Sequence, residues 1–185
     1  EEKAQFLEIV HSNNELLQQL IADILDLSKI EAGTLEFTFS EVDVNQLMFD
    51  IEQLFRMRLE DKSAVIQIIR QTPPDECVMY TDRNRLQQVV SNFMTNAVKF
   101  TDEGSITFGY NRCAEGLYFY VKDTGSGIPE DKVNHIFERF VRVEQNKKGT
   151  GLGLAICEMI IRKLGGKIGV ESEYGKGSTF WFTLP

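Results

Sequence analysis

Cysteine is scarce in this sequence, and its spacing argues against a fold held together by disulfides or by zinc. The 185 residues include three cysteines, Cys77, Cys113 and Cys157. Their number is odd and no two of them form a C-x-x-C pair, so neither a disulfide framework nor a zinc site is indicated. The cysteine pattern is instead consistent with a reducing compartment.

Positive charge is also in short supply. The chain has 20 Lys and Arg residues against 28 Asp and Glu residues, which gives a formal net charge of -8. A protein that binds nucleic acid without regard to its sequence needs a basic surface, and we therefore expect no nucleic-acid partner. The acidity is expected to serve solubility.

Long apolar runs are missing as well. No run reaches the length needed to cross a membrane, and no signal peptide is recognisable. The hydrophobic fraction of 42% is nevertheless sufficient for a core. The chain opens within a helical pattern and without Met, which indicates a piece of a longer protein.

The first segment predicts one long helix. Residues 2–32 contain neither Gly nor Pro, and Gly33 is a suitable C-cap. Apolar residues recur at spacings of three and four along a face wider than a two-stranded seam, which favours a helix bundle. One helix cannot bury such a face alone, so a second helix or a partner chain is expected to cover it. The seam comprises Phe6, Ile9, Asn13, Leu16, Leu20, Ile24 and Leu27.

The remainder of the chain predicts an α+β two-layer sandwich, in which a mixed sheet carries its helices on one face. Alternating apolar residues indicate strands, and apolar residues at spacings of three and four indicate helices. Strands are expected over 34–42, 64–69, 78–81, 105–110, 117–122, 167–172 and 178–184. Helices are expected over 43–59, 82–100, 130–137 and 151–164, and the polar segment 139–150 is interpreted as a lid. Asp43 and Asp82 are expected to be N-caps.

Two glycine-rich turns, separated by the polar segment, indicate a site for an anion. The first follows a strand as Asp-Thr-Gly-Ser-Gly at 123–127, and the second is Gly-Thr-Gly-Leu-Gly at 149–153. Glycine lets the backbone approach a ligand closely and adopt positive φ. The helix expected to start in the second turn offers free N–H groups and the positive end of its dipole. A pair of glycine turns is a weak signal alone, but a polar stripe upstream supports it.

That stripe lies on the helix over 82–100. Asn92, Asn96 and Lys99 follow one another at i, i+4 and i+7 and therefore share a face. Asn96 could offer an oxygen to a hydrated Mg²⁺ ion, and Lys99 could act as a point charge on a phosphate. The alternative is a solvated face that happens to carry two asparagines. The neighbouring glycine turns favour the functional interpretation.

Asp123 ends a predicted strand directly before the first glycine turn. A carboxylate in this place can accept a hydrogen bond from the exocyclic amine of adenine, and it would thereby select that base. The alternative is an Asp that closes an Asx turn with its own backbone.

Together these segments resemble the four nucleotide-binding boxes of two-component sensor histidine kinases. The run N-F-M-T-N-A-V-K-F-T at 92–101 is similar to the N box, and D-T-G-S-G-I-P at 123–129 to the G1 box. H-I-F-E-R-F at 135–140 is similar to the F box, and G-T-G-L-G-L-A-I-C at 149–157 to the G2 box. D-I-L-D-L-S-K-I-E-A-G at 23–33 resembles the end of the second helix of the dimerisation and phosphotransfer hairpin.

The resemblance implies two units and a cofactor. Residues 1–33 would be an incomplete hairpin, and residues 34–185 a catalytic domain with the Bergerat-type ATP-binding fold, which binds ATP and Mg²⁺. It places Asn96 on Mg²⁺ with Asn92 in support, Lys99 on phosphate, and Phe100 and Asp123 on adenine. The implied ATP site consists of Asn92, Asn96, Lys99, Phe100, Asp123, Gly125, Gly127, Ile128, Arg139, Arg142, Gly149, Thr150, Gly151, Leu152, Gly153, Leu154 and Thr179.

One residue separates the subclasses of this fold. Gyrase-like ATPases resemble the helix over 82–100 but carry Glu where this chain has Asn92. A carboxylate can act as general base on water, whereas an amide cannot take the proton. We therefore expect a site that hydrolyses ATP poorly and transfers the γ-phosphate to a side chain. A gyrase-type or heat-shock-type ATPase domain and a non-catalytic docking module remain the alternatives.

The acceptor of that phosphate is not evident in this chain. Its two histidines are His11 and His135. His11 precedes Ser-Asn-Asn rather than an acidic residue and Pro-Leu, and we interpret it as a surface or bundle residue, while His135 is expected to be structural or exposed. The resemblance implies further partners, namely a response regulator receiver domain and a second copy bound through the hairpin helices. It also implies a cytoplasmic domain whose parent protein is anchored in the membrane.

Overall fold

The computed structural model describes residues 2–59, 65–144, 147 and 149–185. The helices are α1 (Glu2–Glu31), α2 (Val44–Arg58), α3 (Arg83–Phe100), α4 (Glu130–Val133) and α5 (Gly153–Lys163). The strands are β1 (Ser40–Asp43), β2 (Ile66–Gln71), β3 (Val78–Thr81), β4 (Gly104–Cys113), β5 (Gly116–Asp123), β6 (Lys167–Glu173) and β7 (Gly177–Leu184). No helix within these ranges is both long and apolar enough to span a membrane.

The main sheet has five strands in the order β2-β4-β5-β7-β6. Strand β2 runs parallel to β4, and the other neighbours are antiparallel. Helices α2, α3 and α5 bury their apolar faces against one side of this sheet. Strands β1 and β3 form a separate antiparallel pair. The predicted α+β two-layer sandwich with a mixed sheet and a long N-terminal helix is therefore confirmed.

Aromatic packing holds α3 across the middle of the sheet. The ring centroid of Phe93 lies 5.3 Å from that of Phe180 and 6.0 Å from that of Phe182. Phe119 on β5 stacks on Phe182 at 4.7 Å. Because Phe93 faces the sheet, residues one position before and three positions after it lie on the flank of α3, where they border the end of β5.

Both predicted N-caps are confirmed. Oδ1 of Asp82 accepts hydrogen bonds from the N–H groups of Asn84 and Arg85 at 2.9 and 3.0 Å, and Oδ2 accepts one from the N–H of Thr38 at 2.8 Å. Oδ1 of Asp43 accepts from the N–H of Gln46 at 3.0 Å. The bonds from Asn84, Arg85 and Gln46 satisfy N–H groups that have no partner within their helices.

Three sequence expectations need correction. The strand expected over 34–42 forms only at Ser40–Asp43, because its partner β3 offers just the four residues 78–81 for pairing. The helix expected over 130–137 ends at Val133 and gives way to turns. The helix expected to begin at Gly151 begins at Gly153, since Gly151 adopts a φ of +71° that no right-handed helix accepts. Ala64, at the start of an expected strand, lies outside the described residues.

Helix α1 packs on the rest of the molecule along only part of its apolar surface. Leu20, Leu27 and Ile30 pack against the core. Leu16 is half-buried and lines the cleft between α1 and α3. Seven other apolar side chains have exposed fractions of 45–66%, namely Phe6, Leu7, Val10, Leu17, Ile21, Ile24 and Leu25. The side chain of Ile9 lies outside the described residues. That a second helix or a partner chain covers this surface stays a prediction.

An ion triad around the buried Glu52 joins α2 to β2. Oε1 of Glu52 accepts hydrogen bonds from Arg56, the shortest at 2.7 Å, and Oε2 accepts one from Nε of Arg70 at 2.7 Å. Glu52 is 9% exposed. Burial alone would raise the pKa of Glu52, but the hydrogen bonds and charges of Arg70 and Arg56 outweigh it and hold the pKa below its ordinary value.

We expect Glu52→Gln to lower the free energy of unfolding at pH 7 by about 1–3 kcal/mol, because both arginines lose a charged acceptor. The folded-state pKa of Glu52 is lowered, so its stabilisation is complete above the unfolded-state value and is lost as the pH falls through the folded value. Urea unfolding at pH 7 and at about pH 3 should show the difference between wild type and variant shrinking with acid. Asp50→Asn is the control: Asp50 lies on α2 like Glu52, but its 2.7 Å ion pair with Arg83 of α3 is exposed and should matter little. A difference that persists unchanged at low pH would contradict this account.

Candidate functional site

A cleft of about 490 Å³ opens where α1, α3, the turn after β5 and the start of α5 meet. Its walls include residues from all the segments that the sequence singled out. Among the predicted site residues, those that line the cleft are Asn92, Asn96, Lys99, Phe100, Asp123, Gly127, Ile128, Arg142, Gly149, Thr150, Gly151, Gly153 and Leu154. Three stretches that are far apart in the chain therefore converge on one cavity.

Four predicted residues do not line the cleft. Arg139 points to α1, where it forms an ion pair with Glu31. Leu152 is fully buried in the core. Gly125 lies behind the cleft wall, and a Cβ there would overlap the carbonyl of Phe100. Thr179 lies on β7 next to Ser178, and it is Ser178 that lines the cleft.

Ser178 is a cleft residue that was not predicted, although the alternation of side chains along β7 is sufficient to identify it. Successive side chains of a strand point to opposite faces of a sheet. Phe180 and Phe182 are buried against α3, so Ser178 shares their face and Thr179 belongs to the other.

The amide stripe of α3 borders the start of α5. Nδ2 of Asn96 donates a hydrogen bond to Oδ1 of Asn92 at 3.3 Å. Within the described part of the chain, no donor bonds to Oδ1 of Asn96, which leaves that oxygen available to a ligand in the cleft. A Cβ at Gly153 would overlap the amide of Asn92, so the first turn of α5 is pressed against the stripe. An oxygen of the kind that Mg²⁺ accepts thus lies beside a helix start that favours anions.

Three cations converge at the other end of the stripe. Nζ of Lys99 lies 4.8 Å from the ring centroid of Phe100, and Nζ of Lys147 lies 5.4 Å from the same centroid. Nη2 of Arg142 donates a hydrogen bond to the carbonyl of Lys147 at 2.6 Å. Burial lowers the pKa of Lys99, the charges of Arg142 and Lys147 lower it further, and Glu144 acts in the opposite direction. Like charges this close favour an anion between them.

Asp123, at the end of β5, is a buried residue of the cleft wall. It is 4% exposed, and its Oδ1 accepts hydrogen bonds from the N–H groups of Gly125 at 2.9 Å and Ser178 at 3.3 Å. Burial raises the pKa of Asp123, and these two bonds offset only part of that rise. The bond from Gly125 is the Asx turn considered above, and the contact of Asp123 with adenine stays a prediction. Oδ2 receives no hydrogen bond from the described residues and can accept one from a ligand.

Helix α1 supplies a wall that the sequence did not predict. Asp23 is 4% exposed and lines the cleft. Its Oδ2 accepts a hydrogen bond from the hydroxyl of Thr150 at 2.7 Å, and its Oδ1 accepts one from Nε2 of Gln19 at 2.7 Å. Nearby, Asp26 accepts hydrogen bonds from Arg85 at 3.1 Å and from Gln88 at 2.8 Å. Carboxylates of α1 therefore hold it against the cleft.

The segment interpreted as a lid borders the cleft without forming a regular element. Arg142 and Glu144 line it, and the N–H of Phe140 donates to the carbonyl of Gly151 at 2.8 Å. Residues 145, 146 and 148 of the expected lid lie outside the described residues. That the segment moves stays a prediction.

Neither histidine lies in the cleft. His11 is exposed on α1, and its Nε2 is 3.4 Å from a carboxylate oxygen of Glu15, one turn later. His135 is exposed and its Nδ1 lies 2.6 Å from Oε1 of Glu138. Both positions agree with the expected surface placement.

Comparison with known proteins places this geometry in a family. Residues 81–185 match the model of the "Histidine kinase-, DNA gyrase B-, and HSP90-like ATPase" family. The aerobic respiration control sensor protein ArcB of Escherichia coli is 34% identical over 190 residues, which cover 99% of this chain and 24% of ArcB. This chain thus spans about a quarter of that relative.

Solved structures agree with this placement. Full-length ShkA, crystallised in complex with AMPPNP, superposes with a TM-score of 0.84 at 32% identity and covers 98% of this chain and 38% of ShkA. The histidine kinase ThkA in complex with the response regulator protein TrrA gives 0.77 at 26% identity and covers 98% of this chain and 50% of that one. The chain therefore belongs to the histidine kinase-, DNA gyrase B- and HSP90-like ATPase family, and within it to the catalytic domains of sensor histidine kinases.

Proposed function

We propose that this chain binds Mg-ATP in the cleft and transfers the γ-phosphate to a histidine on a hairpin helix outside the chain. The phosphoryl group would then pass to an aspartate of a response regulator. The observation that carries the proposal is the convergence of Asn96, Lys99 and Asp123 on one cavity beside the start of α5. The AMPPNP bound by ShkA and the response regulator bound by ThkA support it.

Each wall of the cleft would have a separate task. Oδ2 of Asp123 would accept a hydrogen bond from the adenine amine, with the ring of Phe100 alongside the base. Lys99 and Arg142 would bind the phosphates, together with the N–H groups at the start of α5. Oδ1 of Asn96 would hold Mg²⁺, which neutralises charge on the transferring phosphate when bound. Arg139 and Thr179, which lie away from the cleft, have no task in this arrangement.

The amide of Asn92 sets the outcome of the reaction. In the cleft this amide contacts the start of α5. A gyrase-like ATPase, by the resemblance described above, would carry a Glu at this position as the general base for water attack. An amide cannot accept the proton of that water, so ATP would persist until an acceptor histidine arrives. This property separates a kinase from a gyrase-type ATPase.

The proposal extends to the parent protein. Residues 1–33 would be the second helix of a dimerisation and phosphotransfer hairpin, whose exposed apolar side chains the first helix and a second copy would cover. Residues 34–185 would be the catalytic domain. We also propose that the domain is cytoplasmic and that its parent is anchored in the membrane.

Titration with a non-hydrolysable ATP analogue tests the proposal. We expect binding at millimolar nucleotide that requires Mg²⁺, and a slow ATPase rate for the purified chain. Rapid turnover would instead identify a gyrase-type or heat-shock-type ATPase. Failure to bind at millimolar nucleotide with Mg²⁺ present would favour a docking module that keeps only the fold.

A further inference from the structure

The turn between β6 and β7 packs directly on the first glycine turn. The N–H of Gly175 donates a hydrogen bond to the carbonyl of Ser126 at 2.7 Å. A Cβ at Gly127 would overlap the carbonyl of Glu173, and one at Gly177 would overlap the carbonyl of Asp123. Gly127 and Gly177 both have positive φ, of 66° and 114°. The two backbones thus touch where no side chain fits, and the position of one turn fixes the other.

The hydroxyl of Ser172 lies at the centre of this contact. It accepts a hydrogen bond from the N–H of Ile128 at 2.8 Å and donates one to the carbonyl of Gly177 at 3.0 Å. It also lies 2.9 Å from the hydroxyl oxygen of Ser178. A serine hydroxyl has one proton and two lone pairs, so with Gly177 as its acceptor it receives the proton of Ser178. Every hydrogen-bonding capacity of Ser172 is then in use.

Ser172 connects through Ser178 to the carboxylate of Asp123. The backbone N–H of Ser178 donates to Oδ1 of Asp123 at 3.3 Å. This bond and the one from Gly125 hold Oδ1, and they leave Oδ2 for a ligand. The bonds of Ser172 to Gly177 and Ser178 set where that N–H points.

Resting on the function proposed above, we infer that Ser172 is a positioning residue that sets the preference of the cleft for adenine. It does not touch the base. It fixes the β6–β7 turn against the first glycine turn, and thereby fixes the orientation of Asp123 toward the exocyclic amine. Without the hydroxyl of Ser172, the N–H of Ser178 loses its support and Asp123 is held by the bond from Gly125 alone, while the phosphate end of the cleft keeps all its groups.

The test compares two nucleotides that differ only at the amine. Binding of a Mg²⁺-loaded ATP analogue and of purine riboside triphosphate with the same non-hydrolysable phosphate chain, in which hydrogen replaces the 6-amino group, is measured by calorimetry. In Ser172→Ala we expect affinity for the ATP analogue to fall about tenfold. Affinity for purine riboside triphosphate should change less than about twofold, since its contacts with Lys99 and α5 persist. Ser172→Thr, which keeps the hydroxyl, should retain the wild-type preference.

Thr183→Val is the matched control. The hydroxyl oxygen of Thr183 accepts a hydrogen bond from the N–H of Lys167 at 3.3 Å, on the same hairpin but at its far end. The variant should lower the thermal midpoint without changing the preference for adenine. If Ser172→Ala does not fold, Ser172→Cys carries the same comparison, because a thiol is a weak hydrogen-bonding group.

The outcomes separate the two proposals. A Ser172→Ala protein that binds both nucleotides as wild type does, or loses affinity for both equally, overturns the role of Ser172 and leaves the proposed function standing. A wild-type protein that binds neither nucleotide overturns the proposed function, and the role of Ser172 with it.

Discussion

Replacing Asn96 with alanine should abolish Mg²⁺-dependent phosphotransfer to an added acceptor hairpin and leave the fold intact. The variant removes the one oxygen on the stripe of α3 that no described residue occupies, and Mg²⁺ would lose its ligand from the protein. Losing an electrostatic group aimed at developing charge typically costs at least about a hundredfold in rate. The fold should survive because Asn96 contributes a single side-chain hydrogen bond, at 3.3 Å, to the described structure.

The measurement uses radiolabelled ATP, the purified chain and a hairpin that carries an acceptor histidine. Transfer is followed with and without Mg²⁺, and folding is checked by circular dichroism and thermal unfolding. Asn84→Ala is the control, since Asn84 is an exposed asparagine on the same helix and does not line the cleft. Retained transfer in Asn96→Ala would rule out the proposed role in holding the metal.

Replacing Asp123 with asparagine is expected to weaken nucleotide binding by about 1–3 kcal/mol, the cost of losing a buried charge-assisted hydrogen bond. The amide oxygen can still accept from the N–H groups of Gly125 and Ser178. The amide NH₂ then takes the place of Oδ2 and faces the amine of adenine, donor against donor. The effect should be confined to the base end of the cleft.

The same carboxylate predicts a pH dependence. The pKa of Asp123 is raised by burial, so it takes up a proton at a higher pH than an exposed aspartate does. Since Oδ1 is held by two N–H groups, the proton adds to Oδ2, which then donates instead of accepting, and affinity for nucleotide should fall as the pH drops through that raised pKa. Calorimetry across pH should show this loss in wild type and not in Asp123→Asn. Asp75→Asn, which removes an exposed charge in the β2–β3 connection, should behave as wild type, and unchanged affinity in Asp123→Asn would remove Asp123 from base recognition.

Local patterns predicted the parts of the site that depend on one element at a time. The spacing of Asn92, Asn96 and Lys99 is fixed by the pitch of a helix, so their shared face followed from the sequence. Asp123 was found because a strand that ends at a glycine turn leaves its last side chain at the sheet edge. The caps Asp43 and Asp82 were found for the same kind of reason, since a cap is a bond within four residues.

The parts that failed depend on contacts between distant segments. Whether residues 34–39 form a strand depends on how far β3 extends beside them, and β3 stops at Thr81. Arg139 bonds to Glu31 of α1 instead of the cleft, and that choice depends on where a separate helix docks. Asp23 belongs to the cleft for the same reason. Thr179 is a different case, because it involves no distant contact. The alternation of side chains along β7 is sufficient to place Ser178, and not Thr179, on the face that lines the cleft.

The bond between Asp23 and Thr150 makes the cleft sensitive to the orientation of α1. Thr150 lies three residues before α5, and its hydroxyl oxygen also accepts a hydrogen bond from the N–H of Leu152 at 3.2 Å. A rotation of α1 about its axis must either drag this junction along or break the bond. If the bond breaks, the carboxylate of Asp23 moves away from the cavity that Lys99 and Arg142 also line. The electrostatic potential in the cavity then becomes more positive. A rotation of the long helix would thereby change the charge at the place where phosphates would bind.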